Sequence, residues 1–138
     1  MAKFRFQDLE IWQEAIEIGN VLFDIADTLE EKRLFRFAEQ LRSAGMSMSN
    51  NIAEGSGSTS KAEFRNFLNI AKRSTFENAN ILIVLHKRKL LSDVVMNTML
   101  ERLDILCRKL TSFQRTLYRL LLYALCPMPH APCPMHSA

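Results

Sequence analysis

The residues of this chain best suited to chemistry are its lysines and arginines. Lys61, Arg65, Lys72 and Arg73 are followed by Lys87-Arg88-Lys89, and then by Arg108, Lys109, Arg115 and Arg119. Such a series suits a surface that binds phosphates. Each phosphate neutralised by Lys or Arg releases counterions, which adds affinity that falls steeply with salt. The same residues have a plainer use. A cluster such as Lys87–Lys89 is favoured at a helix C-terminus by the helix dipole, and outward arginines are ordinary surface. No exposed aromatic ladder interleaves the basic residues in the sequence, so stacking on single-stranded bases is not predicted.

Other chemistries lack their minimum parts. His86 is the only histidine before the last nine residues, and it reads as a core or boundary residue near the inward edge of a helix. The stretch Gly55-Ser-Gly-Ser-Thr-Ser-Lys61 lacks the spacing of a phosphate-binding P-loop. Serines are frequent, but no base accompanies them in a nucleophile motif. Cys126, Cys133, His130 and His136 with Met128 and Met135 are ligand types for a soft metal. A Pro-rich segment offers them no orienting surroundings, so neither metal nor cofactor is predicted. Asn50, Asn51 and Glu54 form a polar group that reads as partners for unpaired helix-end groups beside a loop. An enzyme is not expected.

The elements that must carry the basic residues are helical. Residues 1–126 contain no proline, and all four prolines lie in the last twelve residues. Proline costs about 3 kcal/mol inside a helix, so its absence over such a length fits an all-helical body. Asp8 is the expected N-cap of a first helix over about 9–29. Leu9, Trp12, Ile16, Phe23 and Ala26 form one apolar stripe of that helix, and Ile11, Ile18, Leu22 and Ile25 form a second. A second helix is expected over 34–54, with an unusually small middle from Ser43 to Ser49 that would let a neighbouring backbone approach. Gly55 stands where a C-terminal glycine belongs, and Ser60 with Glu63 makes a capping box for a third helix over 61–90. The Ser92-Asp93 pair starts a fourth over 93–125, with Met99, Leu103, Leu106, Leu110, Phe113, Leu117 and Leu121 in one stripe. Arg108, Arg115 and Arg119 lie opposite that stripe, with no acid in their own row. Long helices joined by short connections predict an all-α, antiparallel up-down-up-down four-helix bundle over residues 1–126. Residues 127–138 are expected to be a disordered Pro-rich tail.

Charge is divided along this body. Residues 1–31 hold two basic and eight acidic side chains, whereas residues 32–126 hold sixteen basic and seven acidic ones. The N-terminus has no apolar signal-peptide core, and no apolar run approaches the ~20 residues of a membrane span. A cytoplasmic location and no membrane contact are therefore expected. Three cysteines, Cys107, Cys126 and Cys133, make no disulfide framework.

Several of these residues fall together in one family. Asp8-Leu9 with Trp12-Gln13, Glu39-Gln40-Leu41-Arg42-Ser43-Ala44 with Ser47, Asn51-Ile52-Ala53-Glu54-Gly55, and Glu63-Phe64 with Phe67-Leu68, Ala71 and Ser74 resemble the four-helix-bundle proteins encoded in intervening sequences of bacterial 23S ribosomal RNA genes. The resemblance covers residues 4–92 strongly and the fourth helix weakly. Ser43 departs from it where a second basic residue is common, the aromatic-proline element before the second helix is absent, and residues 126–138 match nothing in it. The family is similar to the accessory variability protein of diversity-generating retroelements, a basic, pentameric helical bundle. The resemblance thus implies a ring of copies that binds RNA or DNA backbone and is accessory to a reverse transcriptase.

Together these readings predict a non-enzymatic bundle. Its nucleic-acid-binding residues are Lys61, Arg65, Lys72, Arg73, Lys87, Arg88, Arg108, Lys109, Arg115 and Arg119. Its subunit interface is the second stripe of helix one, Ile11, Ile18, Leu22 and Ile25, with the acidic rim of that helix against a basic neighbour. The alternative is a protein-interaction scaffold that docks a partner on Ile70, Phe76, Ile81 and Ile83 and binds no nucleic acid.

Overall fold

A computed structural model describes residues 1–125; the expected tail at 127–138 lies outside these residues. A short 3-10 turn over Arg5–Asp8 leads into four helices: α1 (Glu10–Glu31), α2 (Phe35–Ser56), α3 (Lys61–Lys87) and α4 (Asp93–Leu125). α1 packs broadly on α2, α2 on α3, and α3 on α4, whereas α1 and α4 meet only lightly. Helices that neighbour one another in chain order and are joined by short turns form the expected up-down-up-down bundle.

The core is built from the stripes that periodicity predicts, with one exchange. Leu41, Met48 and Ile52 of α2, Leu68, Leu82 and Leu85 of α3, and Met99, Leu103, Leu106 and Leu110 of α4 are buried together. On α1 the buried row is Ile11, Ile18, Leu22 and Ile25, with exposures of only 5, 2, 0 and 8%. Those four residues, expected at a subunit interface, are core residues of the chain itself and present no face to a neighbour. Trp12 and Leu9 of the other stripe pack half-buried against the same core. Ala15, Gly19 and Ala26, also buried, flank the isoleucine row and set its side of the helix inward.

Small residues bring the helices close, as expected of the middle of α2. A Cβ on Gly19 would sit 3.5 Å from the Gly45 carbonyl oxygen, and one on Gly45 would sit 3.4 Å from Leu22 and Phe23 side-chain atoms. Gly55 is different from its expectation. α2 continues past it to Ser56, and Gly57 stands at the C-cap. A Cβ on Gly55 would lie 2.7 Å from Phe67 Cβ and 2.8 Å from Phe64 Cδ1. This glycine admits α3 against α2 rather than ending a helix.

Helix ends differ in their capping. The Ser60 hydroxyl accepts from the Glu63 N–H at 3.1 Å, one half of the predicted capping box; the return bond from the Ser60 N–H to the Glu63 carboxylate is not made. The Ser92 hydroxyl accepts from the Val95 N–H at 3.2 Å. Asp8 is not an N-cap. It lies in the 3-10 turn and pairs with Lys3 at 2.6 Å, while Leu9 occupies the N-cap position without a side-chain bond. The Arg5 guanidinium donates to the Ser56 carbonyl, and the Phe6 ring lies 5.1 Å from Trp12. The N-terminal turn is thereby tied to the end of α2.

Candidate nucleic-acid interface

The ten candidate cations divide by what they touch. Lys109 reaches across from α4 to α1, donating to Glu10 at 2.7 Å and also to Glu14. The hydrogen bond to Glu10, and then that to Glu14, holds its ammonium above the ordinary lysine range. Lys109 is thus a clamp between helices, and not a phosphate ligand in this arrangement. Arg65 is half-buried. Its guanidinium lies 4.7 Å over the Tyr118 ring, and its backbone carbonyl accepts from Gln114 at 3.1 Å. Cation–π contact of this kind joins α3 to α4. Arg108 pairs with Asp104 one turn earlier at 2.5 Å. The row opposite the α4 core stripe therefore does contain an acid, contrary to its sequence reading.

The remaining candidates, Lys61, Lys72, Arg73, Lys87, Arg88, Arg115 and Arg119, make no ion pair among the described residues. Lys61 lies at the start of α3, and Arg115 and Arg119 lie near the end of α4, at the same end of the bundle. Lys87 and Arg88 stand at the other end, roughly 40 Å away by the rise of a 27-residue helix.

Acids on α1 are largely engaged within the chain. Besides the Lys109 clamp, Glu17 lies 3.7 Å from Arg102, and Asp27 and Glu30 hold Arg42 at 2.7 and 2.5 Å. Hydrogen bonds to Asp27 first and Glu30 second raise the Arg42 guanidinium above its ordinary value. The division of charge along the sequence is in this way partly resolved inside one molecule, while Asp24 and Glu31 of α1 are exposed and make no ion pair among the described residues.

Polar groups near α2 also have structural partners. Asn51 donates to the Ser47 carbonyl at 2.7 Å, one turn back, and does not orient the following loop. Ser47 shares a 2.8 Å hydrogen bond with Ser74, and buried Asn78 donates to the Ala44 carbonyl at 2.8 Å. A polar seam thus joins α2 to α3. His86 is half-buried and pairs with Asp93. Among the described residues no group of three His, Cys, Asp or Glu side chains could hold a metal ion, and no helix is long and apolar enough to cross a membrane. Of the apolar docking residues, Ile70, Phe76 and Ile83 are exposed, but Ile81 is buried as part of the core.

Sequence reasoning missed Lys32, Arg33 and Arg36, which flank the α1–α2 connection. In an up-down-up-down bundle that connection shares an end with the α3–α4 connection, where Lys87, Arg88 and Lys89 stand. The Arg88 guanidinium lies 5.9 Å from the Phe37 ring centre, so the two are neighbours in space. The signal was present in the sequence: Leu29-Glu-Glu-Lys-Arg-Leu34 and Leu85-His-Lys-Arg-Lys-Leu90 share one pattern.

Fold and surface together define a small four-helix bundle that carries exposed cations at both of its ends. The family model of the 23S rRNA-intervening sequence protein matches residues 7–112, and the chain belongs to that family. A crystal structure of a protein with unknown function from the S23 ribosomal protein family of Bacteroides thetaiotaomicron has a similar fold. It superposes with a TM-score of 0.72 at 22% identity, over 75% of this chain and 97% of that one. A comparison with curated proteins finds no match.

Proposed function

We propose that this chain is a non-enzymatic helical module that binds the sugar–phosphate backbone of nucleic acid and assembles with copies of itself into a ring. The observation that carries the reading is how the charges are partnered. Five of the seven acids of α1 are taken up by Lys109, Arg102 and Arg42, while Lys61, Arg73, Arg115 and Arg119 remain exposed and without ion pairs among the described residues. Unpaired exposed cations are the groups that can release counterions when a phosphate arrives. Binding is tested by a mobility-shift assay across a salt series. Affinity should fall linearly on logarithmic axes, and a wild-type protein that binds nothing at low salt removes the reading. The pentameric ring and the reverse-transcriptase partner extend it from the family resemblance. Light scattering at micromolar concentration tests the first, where a monomer would end it, and co-purification with a neighbouring reverse transcriptase tests the second.

A scaffold reading is favoured by one different observation. Phe76 is 66% exposed on α3, an unusual position for a phenylalanine, and Ile70 and Ile83 are exposed on the same helix. Pull-down after nuclease treatment separates the two readings, since a scaffold keeps its partner and a nucleic-acid-bridged complex loses it.

A further inference from the structure

The end of the bundle formed by the α1–α2 and α3–α4 connections has two features that packing does not require. The first is backbone strain in duplicate. Arg33 and Lys89 both have left-handed backbone, with φ of 63° and 61°, and no other non-glycine residue described does. Each closes the same turn. Leu34 N–H donates to the Leu29 carbonyl at 2.9 Å and Leu90 N–H to the Leu85 carbonyl at 2.9 Å, while Arg33 and Lys89 themselves donate to Glu30 and His86 carbonyls. This is the helix-ending turn in which glycine is the unstrained choice. A long cation occupies that position at both places. The negative ends of two helix dipoles favour cations there, but Lys32 and Arg88, one residue earlier, already supply them without left-handed backbone. Strain of this kind, where an easier residue exists, points to a use for the side chain.

The second feature is an aromatic ring among cations. Phe35, the first residue of α2, is 56% exposed, and the sequence sets it between Arg33 and Arg36. Lys32, Arg36, Lys87 and Arg88 are exposed at the same end, as are Arg33 and Lys89. Of the carboxylates near them, Glu30 and Asp27 are held by Arg42 and Asp93 is hydrogen-bonded to His86, while Glu31 and Glu39 make no ion pair among the described residues. Cations that track a phosphate chain, together with a ring on which a base can lie, are what a site for single-stranded nucleic acid combines.

We propose that this pole is a binding site for single-stranded nucleic acid, with phosphates held by Arg33, Lys89 and their neighbouring cations and a base stacked on Phe35. The proposal rests on the reading that the chain binds nucleic acid, but it lies on a different surface from the Arg115 and Arg119 side of α4. A duplex offers no unstacked base, so the pole should prefer single strands.

Replacing both left-handed residues, Arg33→Gly with Lys89→Gly, separates binding from folding, because glycine relieves the backbone. Thermal melting should therefore be unchanged or raised. Binding of a 20-nucleotide single-stranded oligo(U) or oligo(dT) should weaken, and the salt slope should become shallower by about 0.7 for each phosphate no longer neutralised. Phe35→Ala should weaken single-strand binding roughly ten-fold while leaving a 20-base-pair duplex unaffected. Wild-type affinity for the single strand in the glycine pair overturns the proposal. If binding instead falls only in Arg115→Glu with Arg119→Glu, the pole is wrong and the general reading stands. A wild type that binds neither strand form overturns both. Loss of binding to phosphatidylserine vesicles in the glycine pair, with oligonucleotide binding intact, would assign the pole to a membrane surface and also overturn the proposal.

Discussion

At the scale of single residues, space and charge make opposite demands on chemically similar positions. A methyl group on Gly55 would meet Phe67 Cβ at 2.7 Å, an atom close to the α3 backbone that cannot swing aside. Gly55→Ala should therefore destabilise the protein by about 1–3 kcal/mol, the usual cost of overpacking. Gly45→Ala meets its nearest atoms at 3.4 Å. There the gain in helix propensity, up to about 1 kcal/mol, should leave stability near wild type. Urea melts of the two variants check the contrast, and equal losses would refute it. Lys109 makes a pH prediction. Its folded pKa is raised by Glu10 and Glu14, so its contribution is fully present below the ordinary lysine value and is lost as pH rises through the raised folded value. Lys109→Met should be less stable than wild type at neutral pH, and the gap should close on alkaline titration. A gap that persists unchanged through the lysine range would mean the side chain acts by packing alone. Arg108 is paired with Asp104, so Arg108→Glu should disturb nucleic-acid binding less than Arg119→Glu does.

At the scale of elements, the helices were legible because their signals are local. The lack of proline, the Ser60–Glu63 cap and the long apolar stripe of α4 each need only nearby residues. The side of α1 that faces inward was not legible in the same way. Periodicity shows that Ile11, Ile18, Leu22 and Ile25 share a face and that Trp12 and Phe23 share another, but only packing on α2 decides between them. The adjacent small residues Ala15, Gly19 and Ala26 were the available hint. Charge misled for a related reason: Glu10 and Lys109 are far apart in sequence and bonded in the structure. The α2–α3 seam was invisible because its polar residues are ordinary one by one. Asn78 is fully buried and donates to the Ala44 and Ser74 carbonyls, both at 2.8 Å, while its own Oδ1 has no partner among the described residues. An unsatisfied buried acceptor offsets much of what those bonds contribute. Asn78→Leu, which fills similar space without the amide, should then lie within about 1 kcal/mol of wild type, whereas Asn78→Ala should cost about 1–3 kcal/mol through reduced packing and the space left behind. Thermal melts of the pair decide it. A large drop in Asn78→Leu would show that the hydrogen bonds set the pairing of the two helices.

At the scale of the whole molecule, the bundle is closed unevenly. α1 is held by α2 and α4 by α3 through broad apolar contact, but α1 and α4 touch only lightly. Ion pairs span that seam, Lys109 to Glu10 and Glu14 and Arg102 to Glu17, beside apolar side chains such as Ile18 and Ile105, which with Glu14 and Arg102 line a shallow groove along it. Exposed ion pairs weaken as salt screens them, whereas apolar burial does not. The seam should thus be the first part of the bundle to open, exposing the α1 core row without unfolding α2 and α3. Amide hydrogen exchange measured at low and high salt checks this directly. Raising salt should speed exchange in residues 10–18 and 102–109 while leaving the Leu41–Ile52 and Leu68–Leu82 stretches unchanged. Glu14→Gln with Glu17→Gln should reproduce the high-salt pattern at low salt. Equal acceleration in all four helices would show instead that the bundle opens as one cooperative unit, with the seam no weaker than its other faces.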